Sequence, residues 1–444
     1  MNMANSFERL TATVGQAEPM RIFGKITEVI GLLIESTGPP ASVGDVCIIQ
    51  NKGSAVSRAE VVGFRKNRTL LMPLGPVEGI YPGLTVTSTK KPLMIGVGPH
   101  LMGRVLDGLG APLDNKGPVI AQFRRPIFSQ VPNPLSRQRI SKFFETGIRA
   151  VDGLVSIGKG QRMGIFAGSG VGKSVLLGMM AKNCRSDINV IALVGERGRE
   201  VREFIERDLG EEGLKRSVVV VATSDQPALI RIKAASIAAA IAEYFRDQGK
   251  DVLFMVDSVT RMAFAQREIG LAIGEPPATK GYTPSVFAMM PQFLERAGTS
   301  DRGTITGLFT VLVEGDDLDE PISDAVRSVL DGHIVLSRRL SQRNHFPAID
   351  ILDSISRCMV DAVSKEHWAL SGRIKDLMAA YRESEDLIQI GAYAHGTNDR
   401  VDRAIKIHDR LNSFLRQDRM EVSGFDAMLA RLKEIDAAGV SRTS

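Results

Sequence analysis

The stretch Phe166-Ala167-Gly168-Ser169-Gly170-Val171-Gly172-Lys173-Ser174-Val175 sets three glycines, a lysine and two serines between an apolar run and a helix-prone one. Gln161 to Phe166 reads as a short strand, and Val175 to Ala181 as the start of a helix. In that context the glycines form a phosphate cradle. Gly168, Gly170 and Gly172 let backbone N–H groups converge on anionic oxygens, and the helix N-terminus adds its own amides. Lys173 is expected to reach the outer phosphates of a nucleotide, and the Ser174 hydroxyl to ligate magnesium. Ser169, Val171 and Val175 are counted with this nucleotide-binding loop. The strict phosphate-loop pattern has glycine where Ala167 stands, a small residue that still permits the turn.

Two carboxylates follow at strand ends. Val252-Leu253-Phe254-Met255-Val256-Asp257 is a buried-type strand closed by an acid, and Asp257 is placed to hold the magnesium shell opposite Ser174. Taken alone, a strand-end Asp also fits an ordinary turn. Gly195-Glu196-Arg197-Gly198-Arg199-Glu200 follows another strand, which puts Glu196 at the carboxyl edge of a sheet. There a carboxylate can orient the water that attacks the terminal phosphate, while Lys173 and arginines absorb developing charge. The plainer alternative is that Glu196 pairs with Arg197 or Arg199 in a surface ion network.

These residues need a scaffold, and the 444-residue chain is long enough for two or three domains. A hydrophobic fraction of 43% and a charged fraction of 24% are those of an ordinary globular protein. The net charge of +5 is spread over 56 basic and 51 acidic residues, which does not indicate nucleic acid as a partner. Cys47, Cys184 and Cys358 form no C-x-x-C pair, so neither a disulfide framework nor a zinc site is expected, and a reducing compartment fits. Glu8 and Arg9 interrupt any secretory leader, and no apolar run reaches the ~18 residues of a membrane span. A cytoplasmic location follows, with membrane contact peripheral or through partners.

Along the chain, Phe7, Leu10 and Val14 suggest a weak amphipathic helix in an N-terminal segment over residues 1–20. Residues 21–92 carry short β-branched pieces, among them Gly24 to Ile30 and Ala59 to Phe64, and read as a small β-barrel. Residues 93–358 form the nucleotide domain, an α/β layer with a mostly parallel sheet. Its expected strands are Arg162–Phe166, Val190–Val194, Val218–Ala222, Val252–Val256, Thr304–Val313 and His333–Leu336; its helices include Arg199–Asp208 and Pro227–Arg246. Residues 359–444 read as an α-helical domain with helices over Lys365–Arg382, Val401–Gln417 and Gly424–Ala438.

Pro347-Ala348-Ile349-Asp350-Ile351-Leu352-Asp353-Ser354-Ile355-Ser356-Arg357 closely resembles the signature of the rotary ATP synthase α/β family and its secretion relatives, as do Gly195-Glu196-Arg197 and Asp257-Ser258-Val259-Thr260-Arg261. The resemblance covers nearly the whole chain and implies a RecA-like P-loop core between the barrel and the helical end. Within the family, the phosphate loop, Leu294-Glu295-Arg296-Ala297-Gly298, Gly274-Glu275-Pro276-Pro277 and Ala394-His395-Gly396-Thr397-Asn398 are most similar to the flagellum-specific, type III secretion export ATPases, with the virulence-type injectisome branch as the alternative. The acidic lever of the synthase β-subunit is absent as a string.

By this resemblance Glu196 is the catalytic carboxylate and Arg197 and Arg261 are electrostatic neighbours of the nucleotide. Phe346 matches the aromatic on which adenine packs, with a core Phe as the plainer reading. Arg357 matches an arginine finger reaching into the neighbouring subunit's site, with a surface salt bridge as its plainer reading. The implied ligands are ATP and Mg2+. The implied partners are five more copies of the chain in a homohexamer, an N-terminal regulatory or stator-like protein, export gate and stalk proteins, and chaperone–substrate complexes. A non-catalytic subunit and a hexameric RNA translocase are weaker readings: the first is expected to lose Glu196 or a loop residue, and the second needs more stacking aromatics than Phe23, Phe64 and Tyr81.

Overall fold

The computed structural model describes residues 22–440 apart from positions 52, 130, 314 and 316. The amphipathic helix expected over residues 1–20 lies outside the described residues. The described residues up to Leu93 and those from Met94 onward make two compact units.

In the first unit, strands β1 (Gly24–Ile30), β2 (Leu33–Ser36), β3 (Asp45–Asn51), β4 (Ser54–Arg65), β5 (Arg68–Pro73) and β6 (Thr85–Pro92) close into a barrel in the order β1-β2-β5-β4-β3-β6. Both pieces read from the sequence as β-branched fall inside it, in β1 and β4. Alternation sends Ile26, Ile34, Cys47, Ile49, Val61, Leu71 and Val86 inward, which fills a small barrel with side chains. Only glycine fits at position 24, because a Cβ there would lie 1.9 Å from the Gly38 carbonyl oxygen.

The second unit begins with β7 (Met94–Val97), which pairs with β9 (Phe123–Pro126), while β8 (Val105–Asp107) is the edge of the central sheet. After a two-residue ribbon of β10 (Phe143–Phe144) and β11 (Ile157–Gly158) come β12 (Arg162–Ala167), β13 (Ile188–Val194), β14 (Ser217–Ala222) and β15 (Asp251–Asp257). The last are β16 (Gly298–Thr299), β17 (Thr304–Leu312), β18 (Gly332–Leu336) and β19 (Ile349–Ser356). Their order is β19-β18-β12-β17-β15-β13-β14-β8, with β16 alongside β17. All pairings from β18 to β8 are parallel, and β19 closes the other edge antiparallel.

All six strands expected for the nucleotide domain are present, within two residues at each end. The two strands at the ends of the central sheet were not anticipated. The edge strand β8 is only three residues long, too short for a periodic signal, and β19 lies within the segment read for its signature. Every residue of β13 is buried, as expected of a strand covered on both faces. The Ala-rich helix runs over Ala228–Asp247. The expected Arg199–Asp208 helix begins as α-helix over Gly198–Glu203 and widens into a π-turn over Phe204–Leu209.

The helical end comprises Lys365–Gln389, Asp399–Leu415 and Phe425–Val440. The first is two turns longer than expected, and in those extra turns Glu385 pairs with Arg339 at 3.3 Å and Arg343 at 3.1 Å. Leu370, Ile374, Ile407, Leu411, Phe414 and Leu432 join the same apolar core as Ile165 and Leu176 beneath the phosphate loop. Buried Arg149 reinforces that seam: its Nε donates to the Phe414 carbonyl at 2.8 Å, and its backbone N–H to Gln417 Oε1 at 2.9 Å. Among the described residues no helix is long and apolar enough to cross a membrane.

Candidate nucleotide site

Parallel pairing aligns the carboxyl ends of β12, β17, β15 and β13 side by side, with Ala167 opposite Leu312 and Asp257 opposite Leu193. Ligands of open α/β sheets collect at such an edge because loops can open there without unmaking the sheet. A cavity of about 750 Å³ lies there, bordered by Gly168, Lys173, Ser174, Glu196, Arg261 and Arg338 among others.

The loop after β12 turns inward through Gly170 (φ 78°) and Gly172 (φ 95°), both left-handed conformations that favour glycine. Gly172 caps the helix Lys173–Asn183, so the first-turn amides point into the cavity. Gly168, Ser169, Gly170, Lys173, Ser174 and Val175 all line it, and Ser174 is exposed on that first turn. Val171 does not line it; its side chain is 2% exposed and belongs to the core, so any contact it makes with a nucleotide is through its backbone.

Lys173 stands between two buried carboxylates. Its Nζ pairs with Asp257 Oδ1 and lies 3.7 Å from Glu196 Oε1. Glu196 is only 9% exposed, and Arg261 Nε approaches the same oxygen at 3.5 Å. Both distances are long for hydrogen bonds, and neither Glu196 Oε1 nor Arg261 Nε has a hydrogen-bond partner among the described residues. Burial pushes the Glu196 carboxyl above the ordinary carboxylate range; Lys173 and Arg261 pull it back, and Asp257 pushes it further up. Glu196 is thus a desolvated acceptor flanked by two cations with an oxygen still to be satisfied.

The surface-network reading of Glu196 does not describe this geometry. Arg197 is instead an exposed side chain 3.5 Å from Glu200, and Arg199 pairs with Glu200 and Glu203 at 3.6 and 3.7 Å. Both arginines still line the cavity mouth. Arg261 reaches Glu196 by crossing Gly195 (φ 71°), where a Cβ would sit 2.8 Å from Arg261 Cδ. Ser258 fixes its start by accepting the Arg261 N–H at 3.4 Å as N-cap of helix Val259–Ile273.

Phe346 is 41% exposed, and its ring lies 3.6 Å from where a Cβ on Gly172 would be. It is therefore a surface aromatic beside the phosphate loop rather than a core residue. Its carbonyl accepts the Gln417 N–H at 2.9 Å, which ties it to the helical end. Arg357 is not brought to this cavity. It is exposed just after β19, in a separate depression with Arg137, Arg139, Arg162 and Asp361, and its backbone N–H is held by the Asp331 carbonyl at 2.9 Å.

Two hydroxyls that the sequence reading passed over complete the site. Thr310 Oγ1 donates to Asp257 Oδ1 at 2.7 Å, and Thr260 Oγ1 accepts the Leu312 N–H at 2.9 Å. The available signal was a Thr inside the otherwise apolar run Leu308 to Val313, next to a strand ending in Asp.

The model of the ATP synthase alpha/beta family nucleotide-binding domain matches residues 147–356, that family's beta-barrel domain matches residues 26–90, and the T3SS EscN ATPase C-terminal domain matches residues 363–434. The flagellum-specific ATP synthase of Bacillus subtilis (strain 168) is 52% identical over 96% of this chain and 98% of its own length. The type 3 secretion system ATPase of Xanthomonas euvesicatoria is 48% identical over 98% of both chains. Among solved structures, the assembled ATPase EscN of the enteropathogenic E. coli type III secretion system superposes with a TM-score of 0.88 at 46% identity, covering 93% of this chain and 99% of that one. EscN in complex with its central stalk EscO gives 0.86 at 45% identity, with the same coverage.

Proposed function

This chain belongs to the ATP synthase α/β family, and on that premise we propose that it hydrolyses ATP as a subunit of a homohexameric ring serving flagellar type III protein export. The observation that carries the chemistry is Glu196, a buried carboxylate 3.5 and 3.7 Å from Arg261 and Lys173 in the phosphate-loop cavity.

The loop amides and Lys173 would hold the polyphosphate, and Phe346 beside Gly172 offers its exposed ring to adenine. Ser174 and Asp257 are hard oxygen donors, the kind that fits a magnesium ion shared with phosphates and water. When bound, magnesium neutralises charge on the β- and γ-phosphate oxygens. Glu196 orients the attacking water in line with the scissile bond, and its raised affinity for protons suits a group that takes one up as the bond forms. Arg261 and Arg197 stabilise charge from the cavity wall.

Arg357 lies outside the cavity of its own chain, which supports delivery to a neighbouring subunit, where a planar, permanently charged fork can bridge γ-phosphate oxygens. A heterologous interface of this kind closes into a ring, and EscN has been solved as an assembled ATPase and with a central stalk. The cycle of interfaces would drive release or unfolding of chaperone-bound substrates, with the helical end facing those complexes and residues 1–20 a regulatory partner. Stalk and gate proteins and a peripheral place at the inner membrane complete this reading. The matches to the Xanthomonas ATPase and to EscN favour virulence-type secretion as the second reading.

Co-purification from native membranes separates the two. Recovery of flagellar basal-body export components supports the first reading, and recovery of needle-complex components replaces it with the second. Purified protein without magnesium-dependent ATP turnover would overturn both.

A further inference from the structure

The Asp257 carboxylate is held at one oxygen by two partners that differ in mobility. Oδ1 is paired with the Lys173 ammonium and accepts the Thr310 hydroxyl at 2.7 Å; no hydrogen bond to Oδ2 occurs among the described residues. Lys173 sits on a flexible four-carbon stem, and a polyphosphate in the loop competes for its charge. Thr310 cannot follow. It is 0% exposed in β17, the strand between β12 and β15, and its hydroxyl also lies 3.2 Å from the Val256 carbonyl. A buried hydroxyl is costly to keep at a position that valine would fill, unless its hydrogen bond is used.

We infer that Thr310 is a positioning residue that keeps the Asp257 carboxylate oriented toward magnesium and its water shell once Lys173 has turned to the phosphates. The inference rests on the proposed role of Asp257. Lys173 is then a transferable partner: it pairs with Asp257 and approaches Glu196, and a bound polyphosphate draws its charge away from both. Thr310 is the permanent one, and it costs the carboxylate no charge toward a cation because the hydroxyl is neutral. Partners of this outer kind typically change metal affinity or activity by ~10–100-fold when removed.

The test compares full-length wild type with Thr310→Val and Thr310→Ser. Two readouts are needed: ATP turnover as a function of magnesium, and binding of a fluorescent ATP analogue with magnesium or with EDTA. Thr310→Val is expected to raise the magnesium needed for half-maximal turnover about tenfold and to weaken magnesium-dependent binding, while binding in EDTA stays at the wild-type level. Thr310→Ser, which keeps the hydroxyl, is expected to restore both. Wild-type magnesium dependence in Thr310→Val, or an equal loss of binding in EDTA, would overturn the inference. Should the valine variant misfold, Thr310→Cys carries the same comparison, since a thiol is only a weak donor. Asp257→Asn keeps the two claims apart: if it leaves magnesium dependence unchanged, the metal role of Asp257 fails; if it abolishes the dependence while Thr310→Val does not, only the inference about Thr310 fails.

Discussion

At the scale of single residues, the site is a balance of charges among Lys173, Arg261 and two buried carboxylates. Among the described residues Lys173 is the only cation paired with Asp257, and it shares Glu196 with Arg261. Lys173→Ala should therefore abolish turnover, and it also leaves Asp257 without its countercharge, at a cost on the order of 3 kcal/mol in the nucleotide-free protein. Circular dichroism and thermal melts alongside turnover assays check both effects; retained hydrolysis would remove Lys173 from the chemistry. Glu196→Gln keeps shape but not charge. It should bind ATP with normal magnesium dependence yet lose most turnover, because an amide cannot act as the anionic acceptor. If binding falls in parallel with turnover, Glu196 is a structural residue.

At the scale of elements, the route that Arg261 takes over Gly195 is a packing constraint with a chemical result. Gly195→Ala meets both a left-handed φ of 71° and a Cβ contact of 2.8 Å with Arg261 Cδ. The expected outcome is a folded protein in which Arg261 is pushed from Glu196, with turnover down about tenfold or more and nucleotide affinity less affected. Equal losses in both would count against Arg261 as a partner of the carboxylate. The seam between the sheet edge and the helical end carries a pH dependence. His345 is 4% exposed beside Phe346, and burial, aided by Arg416, lowers its affinity for protons from the ordinary 6.5 to about 4. In the window from about 6.5 down to about 4 the unfolded chain binds a proton there and the folded chain does not, so stability falls as pH falls. That is on the order of 2–3 kcal/mol at the acid end, and buried His367 shifts in the same direction. Denaturant titrations at pH 7.5 and 4.5 should show a smaller pH effect for His345→Gln than for wild type.

At the scale of the whole molecule, the proposed delivery of Arg357 to a neighbouring subunit would make assembly the switch for activity. If it serves a neighbour, Arg357→Ala should bind ATP almost normally yet lose about 4–7 kcal/mol of transition-state stabilisation, the range an arginine finger provides. Mixing Arg357→Ala with Lys173→Ala chains should recover activity, because some interfaces then join an intact loop from one chain to an intact arginine from the other. Specific activity of the wild type should also rise with protein concentration. Mixed rings that assemble but show no rescue, from a wild type with no concentration dependence, would mean that each chain completes its own site.

The sequence by itself determined the local parts. Glycine spacing, a following lysine and serine, and apolar runs that lead into Gly195-Glu196 and end in Asp257 are short-range signals, because the alternation of apolar residues and the conformation of a loop depend on residues close in the chain. Short β-branched pieces, alternating strands and helices, and then helices alone marked out the three-part architecture, and the resemblance in Pro347 to Arg357 added the family. Tertiary structure alone decided which polar groups meet. Strand order sets β17 between the loop strand and the strand of Asp257, and only that adjacency brings Thr310 to the carboxylate, 53 residues away in the chain. It also decided that Glu196 faces Lys173 and Arg261 rather than Arg197, and that Val171 is packing while Phe346 is surface. Burial and distance across a sheet depend on pairings remote in sequence, and no local pattern encodes them.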